Sequence, residues 1–368
     1  MILVLKRGVA GPERTSLQEL AVRAGRVCRF VPASDDAVVA ILDGGRDRPD
    51  PDLAARARLW PGVMAVVEPG EELPLTRAAV GAFAVAPRHG RPVTFGPRDF
   101  VWIAGPCSVE DPTMLGEVAT AVAAAGATML RGGAYKPRTS PYSFAGHGRE
   151  GLLLLERVAQ DVGLPVVSEV LDVRDVDFVA QHVDMLQVGA RNMQNFPLLS
   201  EVGACGRPVL LKRGPASTLD ELLAAAEYVL HAGCTSLALC ERGVRGFDPN
   251  RRNVLDLSIV PALRERMNLP VIVDPSHATG CRSLVLPMAK AAVAAGADGV
   301  MVEVHSRPTE ALSDPTQALL PADLDELGTA LRALVRLEQR ALASVQEAVT
   351  PDASVRREPA AHDRERTT

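Results

Sequence analysis

Long hydrophobic runs are missing: no apolar stretch approaches the roughly 20 residues needed to cross a bilayer, so a membrane role is not expected. The opening Met1-Ile2-Leu3-Val4-Leu5-Lys6 lacks a basic region ahead of a long apolar core, so it does not read as an export signal. A cysteine framework is missing too. Cys28, Cys107, Cys205, Cys234, Cys240 and Cys281 are scattered, which in a chain of 368 residues reads as free thiols or one metal ligand rather than disulfides. A reducing cytoplasm fits. There is no surplus of positive charge, and a net charge of -5 argues against nucleic acid as a partner. Small anionic substrates remain open, because they need only a local basic pocket. Lysine is scarce: Lys6, Lys136, Lys212 and Lys290 are the only lysines among 40 basic residues. Lys136 and Lys212 fall at strand ends, where a compact ammonium does what a planar guanidinium cannot.

What is present is an ordinary globular composition, 47% apolar and 23% charged, over a length that suits one large domain with a small one. Residues 1–70 read as β-α-β-β-α-β: strands at Ile2–Lys6, Val27–Val31, Ala37–Leu42 and Gly62–Val67, helices at Ser16–Ala24 and Pro51–Trp60. That order is ferredoxin-like, a pattern used by regulatory modules. A link rich in Pro, Gly and Arg follows over 71–99, with a short strand at Val93–Phe95. From 100 to 345 eight apolar runs suited to buried parallel strands alternate with helical segments: Val101–Ala104, Thr128–Arg131, Pro165–Ser168, Met185–Val188, Pro208–Leu211, Ser236–Leu239, Pro270–Val273 and Gly299–Val302. The alternation predicts a (β/α)₈ TIM barrel. A doubly wound sheet is the alternative, but it usually carries a Gly-rich phosphate loop after its first strand, where this chain has Gly105-Pro106-Cys107-Ser108. The last helix is predicted from Ala322 to about Ala343. Residues 346–368 have almost nothing to bury and read as a disordered tail.

Such barrels carry their sites at the carboxyl ends of the strands, and here almost every strand ends in charged or metal-liganding residues. Barrel closure makes strands seven, eight and one neighbours, so His277, Glu303 and Cys107 should converge, with Asp314 in reach from the loop after strand eight. Taken singly, Cys107 reads as a small buried hydrophobe and His277 as a satisfied core histidine. Together at adjacent strand ends they read as a site for Mn²⁺, Fe²⁺, Co²⁺ or Zn²⁺. A second cluster is cationic: Arg131, Lys136, Arg138, Arg191, Lys212, Arg213 and Arg242, of which Arg213 also reads as a solvated rim residue. So many cations at one mouth repel one another unless anions occupy it, and phosphate and carboxylate are the natural occupants. Arg138-Thr139-Ser140 suits a terminal phosphate, and the others a compact, multiply anionic substrate nearer the metal.

The runs Gly105-Pro106-Cys107-Ser108, Lys136-Pro137-Arg138-Thr139-Ser140, Leu211-Lys212-Arg213-Gly214, Cys240-Glu241-Arg242-Gly243 and Asp274-Pro275-Ser276-His277 resemble the type I 3-deoxy-7-phosphoheptulonate synthases, in the branch with an N-terminal ferredoxin-like domain. The likeness covers about Phe100 to Leu320; at the N-terminus it is one of pattern alone. It implies condensation of phosphoenolpyruvate with erythrose 4-phosphate to 3-deoxy-arabino-heptulosonate 7-phosphate and phosphate, the first step of the shikimate pathway. By resemblance, Cys107, His277, Glu303 and Asp314 bind one divalent metal. Arg131, Lys136, Arg191, Lys212 and Arg242 hold phosphoenolpyruvate, with Glu169 and the Ala190 backbone close by. Lys136 protonates the aldehyde oxygen, Arg138, Thr139 and Ser140 bind the aldose phosphate, and water held at the metal or by Glu169 attacks C2. A homodimer or homotetramer is implied. The N-terminal module is either the seat of an aromatic amino-acid effector or an oligomerisation element, and a chorismate mutase is a candidate partner.

Some positions depart from the family pattern: Ala278 stands for Gly, Cys281 for a basic residue, Gly246 for Thr and Pro315 for Gly. Pro315 biases Asp314 toward extended backbone. Two rivals remain. One is 3-deoxy-manno-octulosonate 8-phosphate synthase, which shows Lys-Ala-Asn-Arg where this chain has Lys136-Pro137-Arg138. The other is a catalytically inactive barrel kept as a regulatory or assembly subunit, against which the intact ligand and cation sets argue.

Overall fold

The computed structural model describes residues 1–5, 9, 11–32, 38–43, 51–67, 73–79, 81–87, 91–138 and 140–343. The 346–368 tail and Thr139 therefore lie outside the described residues. The first unit runs β1 (Ile2–Leu5), α1 (Gly11–Arg23), β2 (Val27–Pro32), β3 (Val38–Asp43), α2 (Pro51–Arg58) and β4 (Val63–Val67). Its strands pair antiparallel in the order β2-β3-β1-β4, so two β-α-β units interleave as the element order predicted. Leu3, Leu5, Leu17, Leu42 and Leu53 form its separate small core.

Residues 73–99, read from composition as a link, hold α3 (Pro74–Ala78) and an antiparallel hairpin of β5 (Phe83–Val85) and β6 (Val93–Phe95). The eight barrel strands follow: β7 (Asp99–Gly105), β8 (Met129–Arg131), β9 (Val166–Val170), β10 (Met185–Val188), β11 (Val209–Lys212), β12 (Leu237–Glu241), β13 (Val271–Val273) and β14 (Gly299–Glu303). Each pairs parallel with the next, and β14 closes on β7. Helices α4 (Pro112–Ala125), α5 (Gly148–Val162), α6 (Val176–His182), α7 (Phe196–Ala204), α8 (Leu219–His231), α9 (Ile259–Arg264), α10 (Pro275–Thr279), α11 (Arg282–Ala294) and α12 (Asp323–Leu337) complete the set, with α10 an extra turn between β13 and α11. This is a (β/α)₈ barrel. Strands buried on both faces, inside by one another and outside by helices, explain the unbroken apolar runs. No helix among the described residues is long and apolar enough to cross a membrane.

The amino end of the barrel is filled. Phe83, Val85, Val93 and Phe95 pack into the inner core with Val101, Ile103, Met129 and Met301, and the Phe83 and Phe95 rings stack at 4.7 Å. The final segment joins them. The last helix stops at Leu337 rather than continuing to Ala343, because Gln339 takes a positive φ of 56° and turns the chain back. Strand β15 (Ala341–Leu342) then pairs with Asp99 and Phe100, placing Ala343 in the inner core. Arg340 fixes the turn, donating to the Ala297 carbonyl at 2.7 Å, the Asp99 carbonyl at 2.7 Å and Asp298 at 3.1 Å.

Candidate active site

At the opposite end, the strand termini hold the predicted chemistry. Cys107, His277, Glu303 and Asp314 converge, with one donor atom from each all within 4.8 Å of one another. Their approach depends on local backbone. Gly105 has φ 150°, and a Cβ there would lie 2.0 Å from the Arg131 carbonyl oxygen, so only glycine lets the Cys107 turn sit against β8. Asp274 caps α10 by accepting from the His277 N–H at 2.9 Å, and Pro275 occupies the first helical turn. Ser276 Oγ accepts from the Glu303 N–H at 3.0 Å, tying this turn to the next strand.

The four donors sit in an unequal electrostatic setting. Burial, then the Glu303 carboxylate, push the Cys107 thiol up to about 12. Sγ contacts Ser313 Oγ at 3.1 Å, donates to Asp314 Oδ2 at 3.3 Å and accepts from Lys136 Nζ at 3.0 Å. Burial lowers His277 below its ordinary pKa, against the pull of Asp274 and Glu303, which keeps the imidazole neutral at neutral pH. Its Nδ1 lies 2.7 Å from Asp274 Oδ2 and its Nε2 3.1 Å from Glu303 Oε1. Burial works against the Glu303 charge, but His277 and Arg131 bring its carboxyl down to about 2. Arg131 Nη1 donates to it at 2.8 Å, and Gln317 donates to its other oxygen.

Asp314 corrects an expectation. Its φ is +50°, left-handed rather than the extended backbone that Pro315 was expected to favour. Aspartate tolerates that region better than most residues, and the loop is held at both ends: Arg252 donates to Asp314 Oδ1 at 3.0 Å, and Leu312 N–H to Glu110 at 3.0 Å.

Beside the donor set opens a pocket of about 480 Å³. Of the predicted substrate residues, Lys136, Arg138, Ser140, Glu169, Ala190, Arg191, Lys212 and Arg242 line it, along with His277 and Asp314. A Cβ on Gly189 would fall 1.8 Å from Glu169 Oε1, so glycine there lets Glu169 lie against the turn that starts at Ala190. Arg138 is braced by donating from Nε to the Phe144 carbonyl at 2.6 Å, and its buried Nη2 has no partner among the described residues. Arg131 is placed differently from the others. It is buried against Glu303 and does not line the pocket, and its Nε also has no partner among the described residues.

Arg213 is neither a phosphate cation nor a rim residue. It is 8% exposed, with Nη1 3.0 Å from both Glu241 and Asp256. Arg213→Leu is therefore expected to strand the buried Glu241 carboxylate and cost about 3–5 kcal/mol. Urea unfolding reads this directly, and an unshifted midpoint would refute the role.

Sequence reading missed Arg245, Arg252 and Asn253, which reach the pocket from the loop after β12, and Gln187. It also gave no role to Ser313, Gln317 or Asp274. The signal available for Asp274 was its position: an aspartate directly before Pro275 at a strand end is a helix cap facing the site.

Fold and site together define a (β/α)₈ barrel whose cation-lined pocket suits multiply anionic molecules and lies beside a donor set suited to a divalent transition metal. The chain belongs to the DAHP synthetase I family, whose model matches residues 84–339. It is 52% identical over 227 residues to a phospho-2-dehydro-3-deoxyheptonate aldolase of Thermotoga maritima, covering 62% of this chain and 67% of that protein. A 2-dehydro-3-deoxyphosphooctonate aldolase of Desulfotalea psychrophila is more distant, 31% identical over 67% of this chain and 94% of its own length. Among solved structures, the Thermotoga maritima phospho-2-dehydro-3-deoxyheptonate aldolase (DAHP synthase) superposes with a TM-score of 0.69 at 38% identity, covering 93% of this chain and 98% of that one.

Proposed function

We infer that this chain condenses phosphoenolpyruvate with erythrose 4-phosphate, releasing phosphate and 3-deoxy-arabino-heptulosonate 7-phosphate, and that it needs a divalent transition metal to do so. The observation that carries the reading is the meeting of a thiol, an imidazole and two carboxylates at the wall of an arginine- and lysine-lined pocket. Mixed sulfur, nitrogen and oxygen donors from three adjacent strand ends and one loop fit Mn²⁺, Fe²⁺, Co²⁺ or Zn²⁺. When bound by Cys107, His277, Glu303 and Asp314, such an ion supplies Lewis-acid polarisation of the aldehyde.

The residues of the chain supply the rest. Lys136, Arg191, Lys212 and Arg242 hold phosphoenolpyruvate by its phosphate and carboxylate, with Arg131 steadying the floor beneath them. Arg138, Ser140 and Thr139 hold the phosphate of the aldose. As C3 bonds to the aldehyde carbon, Lys136 Nζ delivers a proton to the oxygen that gains charge. Glu169 orients the water that adds to C2, and phosphate leaves by C–O cleavage. The same reading places the protein in the cytoplasm as a homodimer or homotetramer. Its N-terminal sheet then serves assembly, an aromatic amino-acid effector or a chorismate mutase partner.

Identity is higher to the heptonate enzyme than to the octonate one, and Lys136-Pro137-Arg138 stands where Lys-Ala-Asn-Arg is expected of the octulosonate family. Purified protein given phosphoenolpyruvate is expected to release phosphate with erythrose 4-phosphate and to discriminate against arabinose 5-phosphate by about 100-fold or more in kcat/KM. Turnover of arabinose 5-phosphate alone would replace this reading with the octulosonate one. Turnover of neither would leave an inactive barrel.

A further inference from the structure

Asp274 is fully buried at the end of β13, and its carboxylate makes three polar contacts there. Oδ1 accepts from the His277 backbone N–H at 2.9 Å, which is ordinary helix capping. Capping needs only that one oxygen. Oδ2 lies 2.7 Å from His277 Nδ1 and 2.6 Å from Lys212 Nζ, so one oxygen joins a residue of the cation donor set to a residue of the anion pocket. A carboxylate at Nδ1 places the proton on that nitrogen, which leaves the Nε2 lone pair facing Glu303 Oε1 and Asp314 Oδ2, 3.1 and 3.9 Å away. Lys212 is 4% exposed, and Asp274 is the one carboxylate within salt-bridge distance of it among the described residues. An anion arriving at the pocket wall therefore draws on an ammonium already shared with Asp274. As Lys212 turns toward the anion, the Asp274 charge bears more on the imidazole and makes Nε2 the stronger donor.

We propose that Asp274 is a positioning residue that couples the two halves of the site: it presents His277 Nε2 to the cation and holds Lys212 at the pocket wall, so that cation and phosphoenolpyruvate strengthen each other's binding. This rests on the metal-dependent reading above. Linkage makes the coupling reciprocal.

The test titrates metal-stripped full-length protein with Co²⁺, following the thiolate-to-cobalt absorption, with and without phosphoenolpyruvate. In the wild type, phosphoenolpyruvate should tighten Co²⁺ binding. Asp274→Asn retains a capping oxygen but loses the charge and one acceptor. It should bind Co²⁺ about 10- to 100-fold more weakly, the usual effect of removing a carboxylate behind a ligating histidine. The tightening by phosphoenolpyruvate should vanish, and its KM should rise. A variant with wild-type circular dichroism and undiminished Co²⁺ affinity and coupling would overturn the proposal while leaving the metal site standing. Absence of the cobalt–thiolate band in the wild type would instead overturn the metal reading, and the coupling with it. A further measurement needs no variant: in the Zn²⁺-loaded wild type, histidine nitrogen-15 shifts should show His277 metallated at Nε2 and protonated at Nδ1. Metallation at Nδ1 would also overturn the proposal.

Discussion

Cys107→Ala is expected to lower kcat/KM on the order of 1,000-fold, equivalent to about 4 kcal/mol of transition-state stabilisation. The side chain reaches no deeper than its neighbours require. It is buried, contacts Ser313 and Asp314, and accepts from Lys136 at 3.0 Å, so alanine removes a sulfur and leaves the frame. The barrel core does not depend on it, because Val101 and Ile103 on the strand before it carry the inward packing. Loss of one small buried group should cost only about 1 kcal/mol of stability. The variant should therefore keep its circular dichroism and urea midpoint while metal analysis finds the bound ion depleted. A folded variant with wild-type turnover and full metal content would remove Cys107 from the donor set.

Lys136→Met should have an effect of similar size by a different route. Its ammonium donates to both the carbonyl oxygen (2.9 Å) and the thiol sulfur (3.0 Å) of Cys107 while also lining the pocket. It is thus placed where an oxygen held next to the cation would gain charge, and a positioned proton donor is worth about 10²–10⁴ in rate. The loss should fall mainly on kcat, since Arg191, Lys212 and Arg242, the other cations proposed to hold the anions, still line the pocket. Metal content should be retained, which separates this variant from Cys107→Ala. Lys136→Arg should not restore activity: guanidinium holds its proton too tightly and its planar fork cannot take the ammonium's place beside the sulfur. Near-normal kcat in Lys136→Met would transfer the proton to another group.

The donor set was legible because barrel closure is a topological rule. Once Val101–Ala104 and Gly299–Val302 are recognised as the first and last of eight parallel strands, Cys107 and Glu303 must be neighbours despite nearly 200 intervening residues. The cations were legible for the same reason, as residues that continue buried runs past the strand end. What stayed hidden depends on side-chain direction within loops, which no periodicity encodes. Arg131 turned to Glu303 and Arg213 to Glu241 and Asp256, although both lie at strand ends that lead toward the pocket. Arg252 and Gln317 come from separate loops and meet over Asp314. The left-handed Asp314 runs against the usual influence of a following proline, so only the tertiary contacts explain it. The premature end of α12 likewise reflects Arg340 finding Asp298 and two carbonyls, an attraction invisible in a sequence that could have stayed helical.

The filled amino end of the barrel has a consequence for traffic. With the hairpin of Phe83–Val85 and Val93–Phe95 and the strand Ala341–Leu342 packed across that end, the pocket opens, among the described residues, on the carboxyl side of the barrel. On the proposed function, a substrate bound deep in such a pocket enters first, and inorganic phosphate would leave past the arginines that line its wall. Crowding at that opening would then appear as inhibition by excess aldose, with a sugar phosphate standing in the path of the next phosphoenolpyruvate.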